Sequence, residues 1–221
     1  IERKPILMLI LSFVVVAIGG LVEIVPTLVI KSNIPTIASV KPYTPLELQG
    51  RDIYIREGCY TCHSQMIRPF RYEVMRYGEY SKAGEFVYDH PYQWGSKRTG
   101  PDLARIGGKY PDSWHFNHML KPTSMSPGSI MPNYPWLFRR DLDISTTNSK
   151  IHAMRKLGVP YEQGYEAKAN DDLQKQADKI AASLKNDKIE ISSKKEIIAM
   201  IAYLQRMGKD IKASETTSTN N

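Results

Sequence analysis

Two cysteines and a histidine stand together in this chain as Cys59-Tyr60-Thr61-Cys62-His63. C-x-x-C-H is the spacing of a c-type haem attachment site. Each thiol can add across one haem vinyl group, its hydrogen going to the other vinyl carbon. The adjacent imidazole then lies over the iron as an axial ligand. Covalent attachment keeps the haem in a compartment where free haem would dilute away. Other chemistries share the spacing. A thioredoxin-like redox pair sits in a βαβ context, and none is visible around residues 59–63. A zinc site needs a second C-x-x-C or further histidines, and the chain has only 2 cysteines. A disulfide this short is strained. The favoured expectation is one covalently bound haem c.

A second axial ligand must come from elsewhere in the chain. The remaining histidines are His90, His115, His118 and His152. Among the methionines, Met66 is too close to the motif to reach the opposite haem face, and Met200 and Met207 fall on an apolar C-terminal helix. Met131 lies in Ser129-Ile130-Met131-Pro132-Asn133-Tyr134-Pro135, where the following proline fixes an extended backbone that can hold a thioether rigidly. Met125, in a looser Ser-Pro-Gly loop, is the rival, and Met131 is preferred. His/Met ligation gives a saturated iron of raised potential, suited to electron transfer rather than O₂ binding. Between the two ligands runs Thr99-Gly100-Pro101-Asp102-Leu103. In c-type cytochromes a Gly-Pro-x-Leu segment lies beside the proximal histidine. The Pro101 carbonyl would accept the Nδ1–H of His63, fixing the ring and raising its basicity. The plainer reading of this segment is a turn leading into a helix over 101–106. Trp94, Arg98, Arg105 and Tyr110 are candidates to solvate the haem propionates.

The elements that position these residues follow from hydropathy and punctuation. Residues 6–30 are apolar except for Glu23, with Arg3 and Lys4 just before them. As a helix this run covers about 37 Å at 1.5 Å per residue, enough for a hydrocarbon core of about 30 Å. A cleaved signal peptide would have a shorter apolar region and an A-x-A-like site, so a single membrane anchor over 1–30 is expected. Arg3 and Lys4 place the N-terminus on the cytoplasmic side and the rest outside it. Glu23 either reaches water at the outer interface or, as favoured here, faces a neighbouring membrane subunit. Pro26 would bend the helix or leave carbonyls for that neighbour. The first residue is Ile, consistent with processing, trimming or a fused polypeptide. Residues 31–44 read as a proline-rich linker.

A cytochrome domain is expected over 45–213. Thr44-Pro45-Leu46-Glu47 forms a capping box with proline at the first helical position, predicting a helix from 45 to a stop at Gly58. Lys194 to Lys212 predicts a last helix with one broad apolar face. The two should cross near Gly50 and Tyr54, against Ala202-Tyr203-Leu204. Residues 139–193 read as an intervening insertion, with helices near 145–157 and 171–185. The tail from Ser214 is expected to be disordered. The fold class is therefore mainly α: one transmembrane helix, then a class I-like cytochrome c domain with an insertion before its last helix.

Composition sets bounds on these readings. The chain has 221 residues and a formal charge of +7, with mean hydropathy −0.38. These averages exclude collagen-like, low-complexity and disulfide-rich classes, and also a bundle of several transmembrane helices. The charge permits an acidic protein or membrane surface as partner, and nothing points to nucleic acid.

From the membrane helix to residue 138 the chain resembles the membrane-anchored mono-haem subunit II of cbb3-type cytochrome c oxidases. The resemblance is carried by Gly19-Gly20-Leu21-Val22-Glu23-Ile24-Val25-Pro26, by Arg56 through Pro69, by Trp94 through Leu103, and by Met131-Pro132-Asn133-Tyr134-Pro135-Trp136-Leu137. It implies an electron-transfer subunit of an oxidoreductase in the bacterial inner membrane, with its haem domain on the periplasmic side. Such a subunit takes electrons from a di-haem cytochrome c subunit (subunit III). It passes them to a haem–copper catalytic subunit I, which reduces O₂ and pumps protons. The resemblance also implies Met131 as distal ligand and a Ca²⁺ shared between subunits near the propionates, with Ser96 as the residue expected to touch it. The reading of another class is a free-standing, membrane-tethered cytochrome c shuttle.

Overall fold

The computed structural model describes residues 3–30, 35–95 and 97–212. It divides into two units, one ending at Ile37 and one beginning at Ala38. The first unit is built on helix α1, Pro5–Val29. Proline at the first helical position costs no hydrogen bond there. Pro26 withholds one donor inside the helix, and Thr27 Oγ1 back-bonds to Glu23 O at 3.0 Å. The stretch Pro5–Thr27 has mean hydropathy 2.7 and no part of its apolar window is buried. A helix apolar all round and covered by nothing is stable in lipid, not water, so α1 anchors the chain to a membrane.

The second unit is helical, and no strand forms among the described residues. Its centre is the crossing of α2, Pro45–Arg56, with α9, Glu196–Arg206. The capping box closes as expected: Thr44 N donates to Glu47 Oε2 at 2.8 Å, and Glu47 N donates to Thr44 Oγ1 at 3.4 Å. A Cβ at Gly50 would overlap the Ala199 carbonyl and press on Tyr203, so the absence of a side chain there sets how closely the helices approach. Tyr54 and Tyr203 meet edge to face at 5.3 Å.

Helix α9 departs from its expected single apolar face, because every residue from Glu196 to Leu204 is buried. The cause is its central position. It packs against α2 and also against α4 (Asp112–Leu120), α6 (Trp136–Arg139) and α8 (Ala169–Asn186). Glu196 is tolerated inside because Arg56 grips it with two nitrogens, each at 2.7 Å.

Between α2 and α4 lie α3 (Arg71–Tyr77) and loops, and α5 (Pro122–Met125) follows α4 directly. The segment 139–193 is not peripheral. Its helices α7 (Thr147–Lys156) and α8 cover the remaining side of α2. Leu48 is buried there with Ile151, Met154, Val159 and Ala169, while Leu173, Ala177 and Leu184 join the main core. Buried Gln49 is satisfied by Thr147 Oγ1 at 2.8 Å and Lys150 Nζ at 2.7 Å. The tail from Ser214 lies outside the described residues.

Candidate functional site

The site begins where α2 stops. Gly58 adopts φ +70, a left-handed conformation that ends the helix and starts the 3₁₀ turn Cys59–Thr61. The turn is pinned by Thr61 Oγ1 donating to Gly58 O at 2.7 Å and His63 N donating to Cys59 O at 3.0 Å. Cys59 is thereby buried and Cys62 exposed, and both thiols are free.

The chain then runs alongside 94–103. Gln65 N donates to Trp94 O at 2.8 Å, Gly100 N to Cys62 O at 2.9 Å, and Leu103 N to Ser64 O at 2.8 Å. This register brings the Pro101 carbonyl to 2.8 Å from His63 Nδ1. A carbonyl can only accept, so Nδ1 carries the proton and Nε2 keeps its lone pair. A Cβ at Gly100 would overlap the imidazole. The glycine is therefore required by the close approach of the ring, not by a left-handed backbone. Residues 101–106 form a loop with a turn at 104–105 rather than a helix.

Asp102 locks this pairing from beneath. Its fully buried carboxylate accepts from Ser64 Oγ at 2.6 Å, Ala104 N at 2.8 Å, Met66 N at 3.0 Å and Arg98 at 3.3 Å. Arg98 also donates to Ser64 Oγ at 2.6 Å and to fully buried Glu73 at 2.7 Å. Glu73 is held down at about 2, first by the hydrogen bond from Arg98 and then by those from Arg68.

Electrostatics separate the two cysteine chemistries. Burial, and after it the Glu57 charge, pushes the Cys59 thiol up to about 12. A redox C-x-x-C nucleophile needs a lowered value. Burial lowers His63 as well, against the opposing effect of its bond to Pro101. The neutral imidazole is the form that ligates a metal.

Met131 stands half-buried against the core. Its N–H donates to Ser129 Oγ at 3.2 Å, and the following Tyr134 N donates to Met119 O at 3.0 Å. Trp136 Nε1 donates to Glu57 Oε2 at 2.9 Å. Tyr134 is raised to about 12, by burial first and then by the charges of Cys59, Cys62 and Glu57. Met125 ends α5, also half-buried.

The residues expected beside the propionates are already engaged. Arg98 directs its fork at Glu73, and Arg105 grips Glu85 at 2.7 and 2.9 Å. Trp94 stacks on Tyr92 at 4.4 Å, and Tyr110 stacks on Trp114 at 4.1 Å. Ser96 lies outside the described residues. Among the described residues no group of three or more His, Cys, Asp or Glu side chains could hold a metal ion.

Sequence reading missed Asp102, Glu73, Glu57 and Trp136. Asp102 stood inside the Gly-Pro-x-Leu segment, but its partners are only legible once 64–66 and 98–104 are side by side. Glu57 and Trp136 are 79 residues apart, and no periodicity connects them.

The donor set fits a haem: two free thiols on one turn, an imidazole with Nε2 unengaged, and a glycine cradle that leaves the ring room. Fold and site together define a membrane-anchored, class I-like cytochrome c. The chain matches the family model described as Cytochrome C oxidase, mono-heme subunit/FixO over residues 1–211. It belongs to that family, so it is the one-haem subunit of an oxidoreductase complex that has other subunits. No curated protein matches the chain.

Proposed function

We propose that the chain is subunit II of a cbb3-type haem–copper oxidase and carries electrons from a di-haem cytochrome c subunit to the catalytic subunit that reduces O₂ and pumps protons. It sits in the bacterial inner membrane by α1, with the cytochrome unit on the periplasmic side. Arg3 and Lys4 before the apolar run support that orientation. Cys59 and Cys62 would hold the haem, each thiol adding its S–H across one vinyl group with no oxidant and no leaving group required. His63 and Met131 would be the side chains that ligate its iron. When bound, the haem supplies a one-electron iron couple of raised potential with no position open to O₂. Pro101 keeps the Nδ1 proton on His63 and so keeps Nε2 basic. Trp94 and a Ca²⁺ at Ser96 belong to the same reading as groups around the propionates, and Arg98 and Arg105 would join them only by sharing their donors with Glu73 and Glu85.

The observation that carries it is the 2.8 Å bond from His63 to Pro101, one turn from two free thiols. It fixes the ring so that Nε2 keeps its lone pair for a metal. A reduced-minus-oxidised spectrum of the full chain is expected to show one c-type α-band that survives acid–acetone extraction; its absence would end the reading. Met131→Ala is expected to abolish the sulfur–iron charge-transfer band of the oxidised protein. Persistence of that band would move the ligand to Met125. In mild detergent the chain should co-elute with a haem–copper subunit, whereas a lone haem-loaded chain would favour the free-standing shuttle.

A further inference from the structure

The Met131 loop runs into α6, whose Leu137 is fully buried and which packs on α9; ahead of that helix few hydrogen bonds tie the loop down. The bonds Ser129 N to Ser126 O and Met131 N to Ser129 Oγ shape the loop but do not place it. Two described hydrogen bonds attach it to other elements. Tyr134 N reaches Met119 O at the end of α4, and Trp136 Nε1 reaches Glu57 Oε2. The second is the one that spans to the cysteine turn, since Glu57 lies two residues before Cys59.

Glu57 is a fixed acceptor. Its side chain is 11% exposed, and Arg56 holds the other oxygen at 2.7 and 2.9 Å while also gripping Glu196 on α9. The indole N–H has no acceptor function, so the pair can form in one sense only. The bond is charge-assisted, the stronger kind. The Trp136 ring meets Tyr134 at 5.5 Å, which couples the latch to the residue whose N–H holds the loop to Met119.

We infer that Trp136 and Glu57 are positioning residues, a latch that holds the Met131 loop over the cysteine turn and keeps the thioether on the iron; this rests on the ligand reading above. A thioether is a weak, neutral ligand, so the share of time it is bound depends on how firmly its loop is placed. Freeing the loop raises the fraction of iron open to a competitor, and the competitor's apparent affinity rises by the same factor.

The test uses the full haem-loaded chain in detergent, titrated with imidazole while the sulfur–iron band is followed. Trp136→Phe keeps the ring and removes the donor, and should bind imidazole roughly tenfold more tightly, the effect of about one charge-assisted hydrogen bond. Glu57→Gln keeps an acceptor oxygen and should shift affinity by only about twofold to threefold. Glu57→Ala should match Trp136→Phe, and the double variant should add nothing further. Wild-type imidazole affinity in Trp136→Phe, even with a lowered Tm, overturns the latch and leaves a purely structural bond. Should Trp136→Phe fail to load haem, Glu57→Ala decides, and unchanged affinity there overturns the inference equally. Met131→Ala separates the two claims: if it retains the band, the ligand reading fails; if it loses the band while Trp136→Phe behaves as wild type, only the latch fails.

Discussion

The His63 side and the Met131 side of the cysteine turn are built by different means. On the His63 side, backbone pairs join 62–65 to 94–103, and a buried carboxylate, Asp102, fastens both strands of the pairing at once. The imidazole sits against Gly100 with no room for a methyl group. On the Met131 side, a loop punctuated by Pro132 and Pro135 is shaped by local bonds and attached by one backbone bond and one side-chain bond. The first arrangement has redundant supports, and losing one leaves the others. The second has those two hydrogen bonds and the packing of α6 on α9 just after it. The comparison teaches that the proximal ligand is part of the fold, whereas the distal ligand is presented to it.

The largest effect should come from filling the proximal cradle. Gly100→Ala places a Cβ inside the His63 ring. The obstruction is rigid backbone against a ring held by Pro101, so neither partner can yield cheaply. The variant is expected to lose most covalent haem, measured by the c-type α-band per polypeptide. Full haem content with an intact sulfur–iron band would break the claim that this side is rigid.

Next in size is the charge network behind it. Arg98→Ala leaves buried Glu73 and Asp102 without their shared cation. Breaking a buried pair in this way costs about 3–5 kcal/mol, to be read by chemical denaturation of the haem-loaded chain at neutral pH. The acid dependence sharpens the point. Glu73 sits at about 2 in the folded chain against an ordinary value of 4.5, so its contribution is complete above the ordinary value and is lost as pH falls from there towards 2. With Arg98 gone, the first cause of that lowering is gone, and the variant should lose less stability than wild type over the same interval. Arg68 still donates to Glu73 in the variant, so some of the acid dependence persists. An unchanged acid slope would show that Arg68 alone sets the carboxylate.

How much of this was legible in the sequence follows the same division. The C-x-x-C-H turn, the Pro101 carbonyl partner, the Thr44 capping box and the apolar anchor are local signals, each set by a few neighbouring residues. The α2–α9 crossing was legible because Gly50 lies among larger residues, although the contact falls at Ala199 and Tyr203 rather than only at 202–204. The burial of α9 on all sides was not legible. It depends on α4, α6 and α8, which no spacing in the sequence connects to α9. Arg98 and Arg105 illustrate the limit differently: their charge was readable, but whether a carboxylate or a propionate meets it depends on Glu73 and Glu85, which sequence distance hides. Trp136 with Glu57 is the extreme case, since neither residue type nor spacing marks the pair.

The smallest expected effect lies within the distal loop itself. Ser129 Oγ accepts from Met131 N–H at 3.2 Å, a neutral bond in a half-buried loop that water can replace. Ser129→Ala should therefore cost about 0.5–1 kcal/mol or less in unfolding free energy. Its effect on imidazole competition should be smaller than that of Trp136→Phe, because the bond shapes the loop and does not tether it. The two variants test whether placement or shape governs the distal ligand. If Ser129→Ala weakened Met131 ligation as much as Trp136→Phe, local loop shape would control the thioether, and the distal side would resemble the proximal one in depending on its own backbone geometry. A clear ranking of Trp136 above Ser129 would instead show that a loop already stiffened by two prolines needs little more than one firm anchor.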